Sequence, residues 1–190
     1  WRWKMEEPEQ IVTEFLREHQ LMIKQMRGVP GATESRLKEA AQVRHCALSL
    51  VGEPIMYPKI NQLLKLLHGR NISTFLVTNG QFPDAIRDLD PVTQLYLSVD
   101  AATPSELQRI DRPLFKDAWE RLLASASALS AKKMTRTVFR LTLVKGQNMD
   151  SLEDYAKLVR LGNPDFIEVK GVTYSGVQSN STPNPLTMKS

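Results

Sequence analysis

The sequence predicts an α/β fold in which parallel strands curve into a barrel or partial barrel with helices on the outside. Five short apolar segments alternate along the 190 residues with segments of helical periodicity, which is typical of parallel βαβ units. Four of the five segments also alternate polar and apolar side chains. Strands of a doubly wound sheet are covered on both faces and are almost continuously apolar. The alternation therefore favours a sheet with one polar, concave face that lines a ligand-filled interior.

The helices are predicted from apolar residues at helical spacing and from prolines in first turns. Pro8 opens the first helix, because a proline there wastes no hydrogen bond. Ile11 and Met22 belong to its apolar stripe, and Gly28 begins the turn that ends it. Thr33 is the expected cap of the second helix. In chain order, the predicted helices span residues 8–26, 34–43, 58–68, 83–89, 104–110, 113–130 and 151–161.

The strands are predicted from apolar segments that are too short for helices and that end at turn residues. In the fourth strand, for example, Arg140 and Thr142 lie opposite Leu141. The second strand, which contains Phe75 and Val77, does not sort into two faces. The predicted strands span residues 45–51, 72–78, 94–100, 137–144 and 166–170.

Composition excludes several classes of protein. With 42% hydrophobic and 24% charged residues the chain is neither collagen-like nor disordered, and no apolar run approaches the roughly 18 residues of a membrane span. Its one cysteine, Cys46, cannot form an internal disulfide and fits a reducing, cytoplasmic compartment. A net charge of +4 is compatible with an RNA partner. We expect one domain over residues 1–174 and a flexible tail over residues 175–190. Because the chain begins at Trp1, we expect it to be a piece of a longer polypeptide.

Polar residues and glycines follow the predicted strands, where parallel α/β proteins bind their ligands. Gly52 allows a ligand to approach the main chain closely, and the carboxylate of Glu53 suits a ligand that carries an ammonium group. The alternative for this pair is an ordinary strand-ending turn. The strand-end segments are residues 52–54, 79–80, 100–101, 145–148 and 170–171.

Several of these segments resemble a known enzyme family. The sequence Ser-Leu-Val-Gly-Glu-Pro at residues 49–54 resembles the Gly-Glu-Pro motif of radical S-adenosylmethionine enzymes, and residues 75–80 and 98–101 resemble their next two strand motifs. Longer blocks resemble, more specifically, the tRNA 4-demethylwyosine synthase family of wybutosine biosynthesis. These blocks are residues 44–54, 96–101, 110–117 and 140–145, followed by 163–174.

The resemblance implies a fold, a reaction and partners. The fold is a partial (β/α)₆ TIM-like barrel. A 4Fe–4S cluster, held by three cysteines of a C-x₃-C-x₂-C loop after the first strand, binds S-adenosylmethionine and cleaves it reductively. Carbons of pyruvate are then joined to N1-methylguanosine beside the anticodon of phenylalanine tRNA, a carbon–carbon lyase type of reaction. Electrons come from a separate reductase or from a flavodoxin-like domain, and FMN is implied only if the parent protein has that domain.

The chain departs from this family pattern at its beginning. It lacks the C-x₃-C-x₂-C loop, so the first barrel strand and the cluster ligands are expected to be missing, and the fragment alone is expected to be inactive. Cys46 does not replace the ligands, because it lies in a strand on the apolar face and a cluster takes several thiolates. No other metal-binding pattern is present. Two alternatives remain. One is a truncated or degenerate paralogue that binds tRNA without catalysis, and the other is a different α/β barrel that performs acid–base chemistry without iron, using Glu53, Asp100 and Lys170.

The resemblance assigns S-adenosylmethionine contacts to six residues at strand ends. For three of them the sequence also allows a structural role. The alternative role of Ser98 is packing in the interior. The alternative role of Asp100 is to cap the following helix, and that of Asn148 is to cap the helix near Ser151. The six residues are Gly52, Glu53, Asn79, Ser98, Asp100 and Asn148.

Lysines are candidates for the pyruvate and RNA chemistry. An amine condenses with a ketone only when it is deprotonated, which requires burial, and Lys145 and Lys170 lie at strand ends. The alternative for Lys170 is a salt bridge with Glu168. A run without acidic residues supplies candidate contacts to the tRNA backbone, for which the alternative is a solvated loop. These residues are Lys132, Lys133 and Arg136.

Overall fold

A single sheet of five parallel strands organises the chain, in the order β1-β2-β3-β4-β5. The computed structural model describes residues 5–49 and 52–172. The order in space equals the order in sequence, which successive βα units produce when each crossover advances by one strand. This confirms the predicted α/β fold with parallel strands. The strands are β1 His45–Leu48, β2 Ser73–Thr78, β3 Gln94–Ser98, β4 Arg136–Leu143 and β5 Phe166–Gly171.

The helices agree with the prediction except at several ends. Thr33 caps the second helix as predicted, because its hydroxyl accepts a hydrogen bond from the main-chain N–H of Arg36. That helix ends at Ala40 rather than at residue 43. The sixth helix begins at Ala118 rather than at Pro113, since residues 113–117 form a loop and a turn instead of a first helical turn. The helices are α1 Pro8–Gln25, α2 Glu34–Ala40, α3 Ile60–His68, α4 Pro83–Asp88, α5 Pro104–Ile110, α6 Ala118–Ser130 and α7 Leu152–Gly162, and a 3₁₀ turn spans Pro54–Met56.

The helices cover one face of the sheet and leave the other open. On the covered face, Leu76, Leu95 and Phe139 are fully buried. The open face carries polar side chains as predicted, but it also carries aromatic ones. The rings of Phe75 and Tyr96 lie 4.3 Å apart on it, as diagonal neighbours on adjacent strands: Phe75 pairs with Gln94, two residues before Tyr96. Phe75 belongs to the strand whose side chains did not sort into two faces in the sequence. The open face is polar at the strand ends and aromatic near its middle.

Strand β1 is the edge of the sheet within the described residues. An open groove of about 850 Å³ runs beside it, lined by residues of α1, α2 and β1 that include Phe15, His19 and His45. Unpaired strand edges present N–H and C=O groups that another strand pairs with readily. The described edge of β1 therefore keeps the hydrogen-bonding groups needed to pair with a further strand.

Some predictions fall outside the described residues. These are the start of the predicted domain at residues 1–4, the end of the first strand at residues 50–51, the last motif residues 173–174, and the tail 175–190. Within the described residues, no helix combines the length and the apolar character needed to cross a membrane.

Candidate functional site

A cavity of about 640 Å³ opens at the carboxyl ends of β1, β2 and β3. The loop between α5 and α6, residues 111–117, closes it on one side. Parallel α/β proteins bind ligands at this edge of the sheet, so its position agrees with the prediction. Five of the six predicted cofactor residues line it: Gly52, Glu53, Asn79, Ser98 and Asp100.

The carboxylate of Glu53 has one hydrogen-bonded oxygen and one oxygen without a partner. Its Oε2 accepts a hydrogen bond of 2.8 Å from the main-chain N–H of Asn79, whereas Oε1 is buried and has no hydrogen-bond partner. Burial raises the pKa of the Glu53 carboxyl, and hydrogen bonding from the Asn79 N–H, and secondly from the Thr78 hydroxyl and the Ile55 N–H, opposes that shift. A buried acceptor without a donor is costly unless a ligand supplies one. The site is therefore suited to an N–H donor, and best to a cationic one.

The turn before Glu53 depends on Gly52. Its φ is +70°, in the left-handed region that favours glycine, and an added Cβ would meet no atom within 4 Å. The requirement for glycine is thus one of backbone conformation and not of crowding. Glu53 itself is extended, with φ −115° and ψ 99°, as expected for a residue that precedes Pro54.

The turn after β2 adds a residue that the sequence analysis missed. Gln81 is 7% exposed and lines the cavity. Its Nε2 donates a 3.1 Å hydrogen bond to the carbonyl of Ala118, and its Oε1 is buried without a partner. Asn79 shapes this turn, because its Oδ1 accepts from the N–H of Gln81 at 3.0 Å. The one available signal was the position of Gln81 directly after an Asn-Gly strand end.

Asp100 and Asn148 connect the ends of β3 and β4. Oδ1 of Asp100 accepts a 2.8 Å hydrogen bond from the N–H of Thr142. The Asn148 amide donates to the carbonyls of Asp100 and Thr142, at 2.7 and 2.9 Å, and its Oδ1 accepts from the N–H of Val144 at 2.7 Å. Asn148 is buried behind the cavity and does not line it. Its described contacts fasten two strands together.

Neither helix cap proposed for these two residues is present in the described structure. The hydroxyl of Thr103, and not Asp100, caps α5 by accepting from the N–H of Glu106. The residue before α7 is Ser151, whose hydroxyl donates to Glu106 at 2.8 Å. The alternatives of Asp100 and Asn148 as caps are therefore wrong.

The loop between α5 and α6 supplies a third carboxyl to the cavity, one that the sequence analysis did not single out. Asp111 lines the cavity together with Asp100. Burial, and secondly the negative charge of Asp100, raise the pKa of Asp111 to about 6. Like charges that face one ligand site oppose each other's ionisation, so this wall of the cavity favours cations and hydrogen-bond donors.

The two predicted catalytic lysines lie outside the cavity. Lys145 is exposed in the turn after β4, and Lys170 is exposed on the edge strand β5. The predicted bridge between Lys170 and Glu168 is wrong, because Glu168 lies 3.5 Å from the guanidinium of Arg140. Both lysines nevertheless belong to the same edge of the sheet as the cavity.

The three predicted RNA contacts lie at the opposite edge of the sheet, beside the amino end of β4. Lys133 and Arg136 line a shallow depression there, and the Arg136 guanidinium lies 5.6 Å from the ring centre of Phe166. Lys132 has a structural role: its ammonium donates to the carbonyls of Arg87 and Leu89 at the end of α4. Burial lowers the pKa of Lys132.

A metal centre is not formed by the residues that the structure describes. They contain no group of three or more His, Cys, Asp or Glu side chains that is placed to hold a metal ion. Cys46 is half-buried and packs against the hydrophobic core, and burial raises the pKa of its thiol. A single thiol of this kind does not fit an iron–sulfur cluster, which takes several thiolates.

Comparison with known proteins identifies the family. A family model described as the radical SAM superfamily matches residues 24–159. The chain belongs to the radical S-adenosylmethionine superfamily. This confirms the resemblance of its strand-end motifs, and it implies S-adenosylmethionine and a 4Fe–4S cluster as the cofactors of the family.

Individual relatives within the superfamily are tRNA-modifying enzymes. The chain is 65% identical to the S-adenosyl-L-methionine-dependent tRNA 4-demethylwyosine synthase TYW1 of Mus musculus, over 96% of this chain and 25% of that protein. It is 57% identical to the synthase of Schizosaccharomyces pombe, over 100% of this chain and 27% of that protein. The chain therefore spans about a quarter of the length of these relatives.

Solved structures of the radical SAM superfamily share the fold. A structure of TYW1 with a lysine–pyruvate adduct superposes with a TM-score of 0.83 at 35% identity, covering 92% of this chain and 57% of that one. An archaeal TYW1 crystal structure superposes with a TM-score of 0.78 at 34% identity, covering 89% of this chain and 58% of that one. The partial barrel expected from the resemblance is thus confirmed as the fold.

Proposed function

We propose that this chain is the S-adenosylmethionine-binding part of a tRNA 4-demethylwyosine synthase, which condenses carbons of pyruvate with N1-methylguanosine in phenylalanine tRNA. The names of the relatives and the 65% identity to the mouse enzyme support this proposal. One structural observation carries it: the buried, unpartnered Oε1 of Glu53 at the wall of the cavity. That oxygen is the acceptor that a bound ammonium group needs.

The cavity residues fit S-adenosylmethionine by their chemistry. Glu53 accepts from the ammonium group, and the adjacent Gly52 leaves room for the ligand at the main chain. The hydroxyl of Ser98 and the free oxygen of Asp100 are available to ligand hydroxyls, since the other Asp100 oxygen is held by Thr142. When bound, the cofactor and its cluster supply one-electron chemistry. The residues of this chain hold, orient and shield the ligand, and its single cysteine does not provide the cluster site.

The lysine that binds pyruvate remains a proposal. Lys145 and Lys170 are the candidates, and the adduct named for one solved TYW1 structure supports a lysine in this role. Both lysines lie at the carboxyl edge of the sheet, where the cavity opens. Neither is among the residues that line the cavity. A flavodoxin-like domain or separate reductase as electron donor, and a cytoplasmic location, belong to the same proposal.

The proposal is tested by substituting Glu53 in the full-length protein under anaerobic conditions. We expect Glu53→Ala to raise the dissociation constant for S-adenosylmethionine at least about tenfold, because a hydrogen bond to a charged group is lost. Glu53→Gln, which keeps the shape but not the charge, should fall between that variant and the wild type. Equilibrium dialysis measures binding, 5′-deoxyadenosine release measures cleavage, and iron and sulfide analysis should show unchanged cluster content.

The control is Glu120→Gln, which changes an exposed carboxylate on α6. It should bind the cofactor as the wild type does. Normal binding and cleavage by Glu53→Ala would remove Glu53 from the site and contradict the proposal. A wild-type protein that binds tRNA but releases no 5′-deoxyadenosine would instead support the non-catalytic paralogue.

A further inference from the structure

Two apolar side chains stand at the mouth of the cavity. Leu114, in the loop between α5 and α6, is 98% exposed although it lines the cavity. Met56, in the 3₁₀ turn that follows β1, is 56% exposed and lines it as well. A single exposed leucine is ordinary on a protein surface, but an almost fully exposed one at the mouth of a ligand cavity is positioned to meet the ligand.

The loop that carries Leu114 is braced. Arg112 holds a φ of +48°, a conformation that persists in a non-glycine residue only where its surroundings enforce it. The ring of Phe115 packs edge-on against Phe82, with 5.8 Å between centres, and its other neighbour is the guanidinium of Arg121 at 4.1 Å. Arg121 also donates to the side chain of Asp117, at the end of the same loop. Leu114 is therefore presented to solvent by an anchored segment.

Charge is distributed differently at the mouth and inside. Arg112 and Lys116 flank Leu114 in sequence, and both are exposed. The inner wall instead presents acceptors, which include Asp111 and the unpartnered Oε1 of Gln81. A partner that fits both has negative groups outside and hydrogen-bond donors that enter. An RNA strand has this chemistry, because its phosphates remain outside while an N1-methylguanine base carries the N–H donors of its exocyclic amino group inward.

We propose that Leu114 is a wedge. When the target base leaves the RNA stack and enters the cavity, Leu114 takes its place in the stack, while Arg112 and Lys116 contact the phosphates on either side. This inference rests on the proposed function for the identity of the substrate. Enzymes that modify a base must first remove it from its stack, and proteins that distort nucleic acids insert leucine or methionine into the gap.

The test uses the full-length, cluster-loaded enzyme and a tRNA that carries N1-methylguanosine with 2-aminopurine as the neighbouring nucleotide. Leu114→Ala should raise the dissociation constant for this tRNA about tenfold, since stacking on one side chain is lost. The fluorescence increase of 2-aminopurine on binding, which reports unstacking, should fall by at least about half. Leu114→Met should restore both readings, and the dissociation constant for S-adenosylmethionine should not change in either variant.

Matched variants separate the wedge from a general surface effect. Met22→Ala removes an apolar side chain that is 55% exposed on α1, and it should leave tRNA binding unchanged. Arg112→Gln and Lys116→Gln should each reduce the slope of log affinity against log salt by about 0.7.

Three results would overturn the inference. One is unchanged tRNA affinity and fluorescence in Leu114→Ala. A second is a lower melting temperature of that variant with unchanged tRNA binding, because Leu114 would then be covered by another part of the protein. The third is an equal loss of S-adenosylmethionine binding, which would make Leu114 part of the cofactor wall. Failure of the wild-type enzyme to bind tRNA would contradict the proposed function itself. It is distinguishable from the three results above, in which the wild-type enzyme binds tRNA.

Discussion

Two carboxylates of the cavity, Glu53 and Asp100, are each oriented by a main-chain N–H from the neighbouring strand or the turn after it. Glu53 follows β1, but the N–H that holds its Oε2 belongs to Asn79 after β2. Asp100 follows β3, and the N–H that holds it belongs to Thr142 in β4. Each carboxylate therefore has one oxygen fixed by a neighbouring main chain and one oxygen left for a ligand. At the scale of the residue, the site depends on the pairing of adjacent strands.

Asp111 predicts a pH dependence of stability. Its pKa is raised from the ordinary 3.8 to about 6. Between these values the folded state holds a proton that the unfolded state has released, so stability falls as the pH rises through this range and levels off above it. Asp111→Asn removes this pH dependence of stability. Because the residue is exposed to the cavity water, we expect only about 1 kcal/mol of added stability at pH 7.5, and less at pH 5.

The measurement is the melting temperature of the full-length protein from pH 5 to pH 8. Asp117→Asn is a control of opposite sign, since a hydrogen bond from Arg121 lowers the pKa of Asp117 and its removal should destabilise near neutral pH. Identical pH profiles for the wild type and Asp111→Asn would show that Asp111 is not perturbed in solution.

At the scale of the element, α7 lies unusually close to β4. A Cβ added to Gly162, the last residue of α7, would overlap the ring of Phe139, which is fully buried in β4. A ring that is enclosed on all sides has no free space into which it can rotate. The glycine is therefore required by this close approach and not by its φ.

Gly162→Ala should accordingly destabilise the protein by about 2 kcal/mol, through overpacking. Phe139→Leu opens space at the same contact, so the double variant should be less destabilised than the sum of the two single variants. Gly171→Ala is the matched control, since an added Cβ there would meet nothing within 4 Å. Thermal unfolding of the four proteins measures the coupling, and additive effects would contradict the packing account.

At the scale of the whole molecule, the two edges of the sheet have different surfaces. The cavity opens at the carboxyl ends of the strands, whereas Lys133 and Arg136 lie beside the amino end of β4. The eight residues of β4 place about 26 Å between these edges. A tRNA that reaches both edges must extend around the side of the sheet.

The double variant Lys133→Gln, Arg136→Gln tests the predicted RNA contacts at the far edge. We expect its tRNA affinity to fall several-fold, with a salt slope smaller by about 1.4, because two phosphate contacts are lost. Its affinity for S-adenosylmethionine should equal that of the wild type, given the distance. Lys132→Met should lower the melting temperature instead, since the Lys132 ammonium binds main-chain carbonyls. An unchanged salt slope in the double variant would exclude this edge as an RNA surface.

Much of the site was predictable because it is local in sequence. Gly52, Glu53 and Asn79 stand directly after strands, and strand ends are readable from apolar runs that stop at turn residues. Asp111 was not predictable in this way, because it lines the cavity only where the loop before α6 returns to the sheet. For Gln81 the strand end gave a position, but its hydrogen bond to Ala118 of α6 is recorded by no local pattern.

By itself, the sequence determined the parallel α/β fold, the strands and most helix ends, and the motif residues that mark the superfamily. Periodicity and turn residues act over a few positions, so the printed chain contains that information. Only the tertiary structure decided which acceptor oxygens lack partners, that Asn148 fastens two strands, and that Lys132 is engaged by carbonyls. These properties arise from contacts between residues tens of positions apart, because burial and hydrogen bonding depend on what the folded chain brings together.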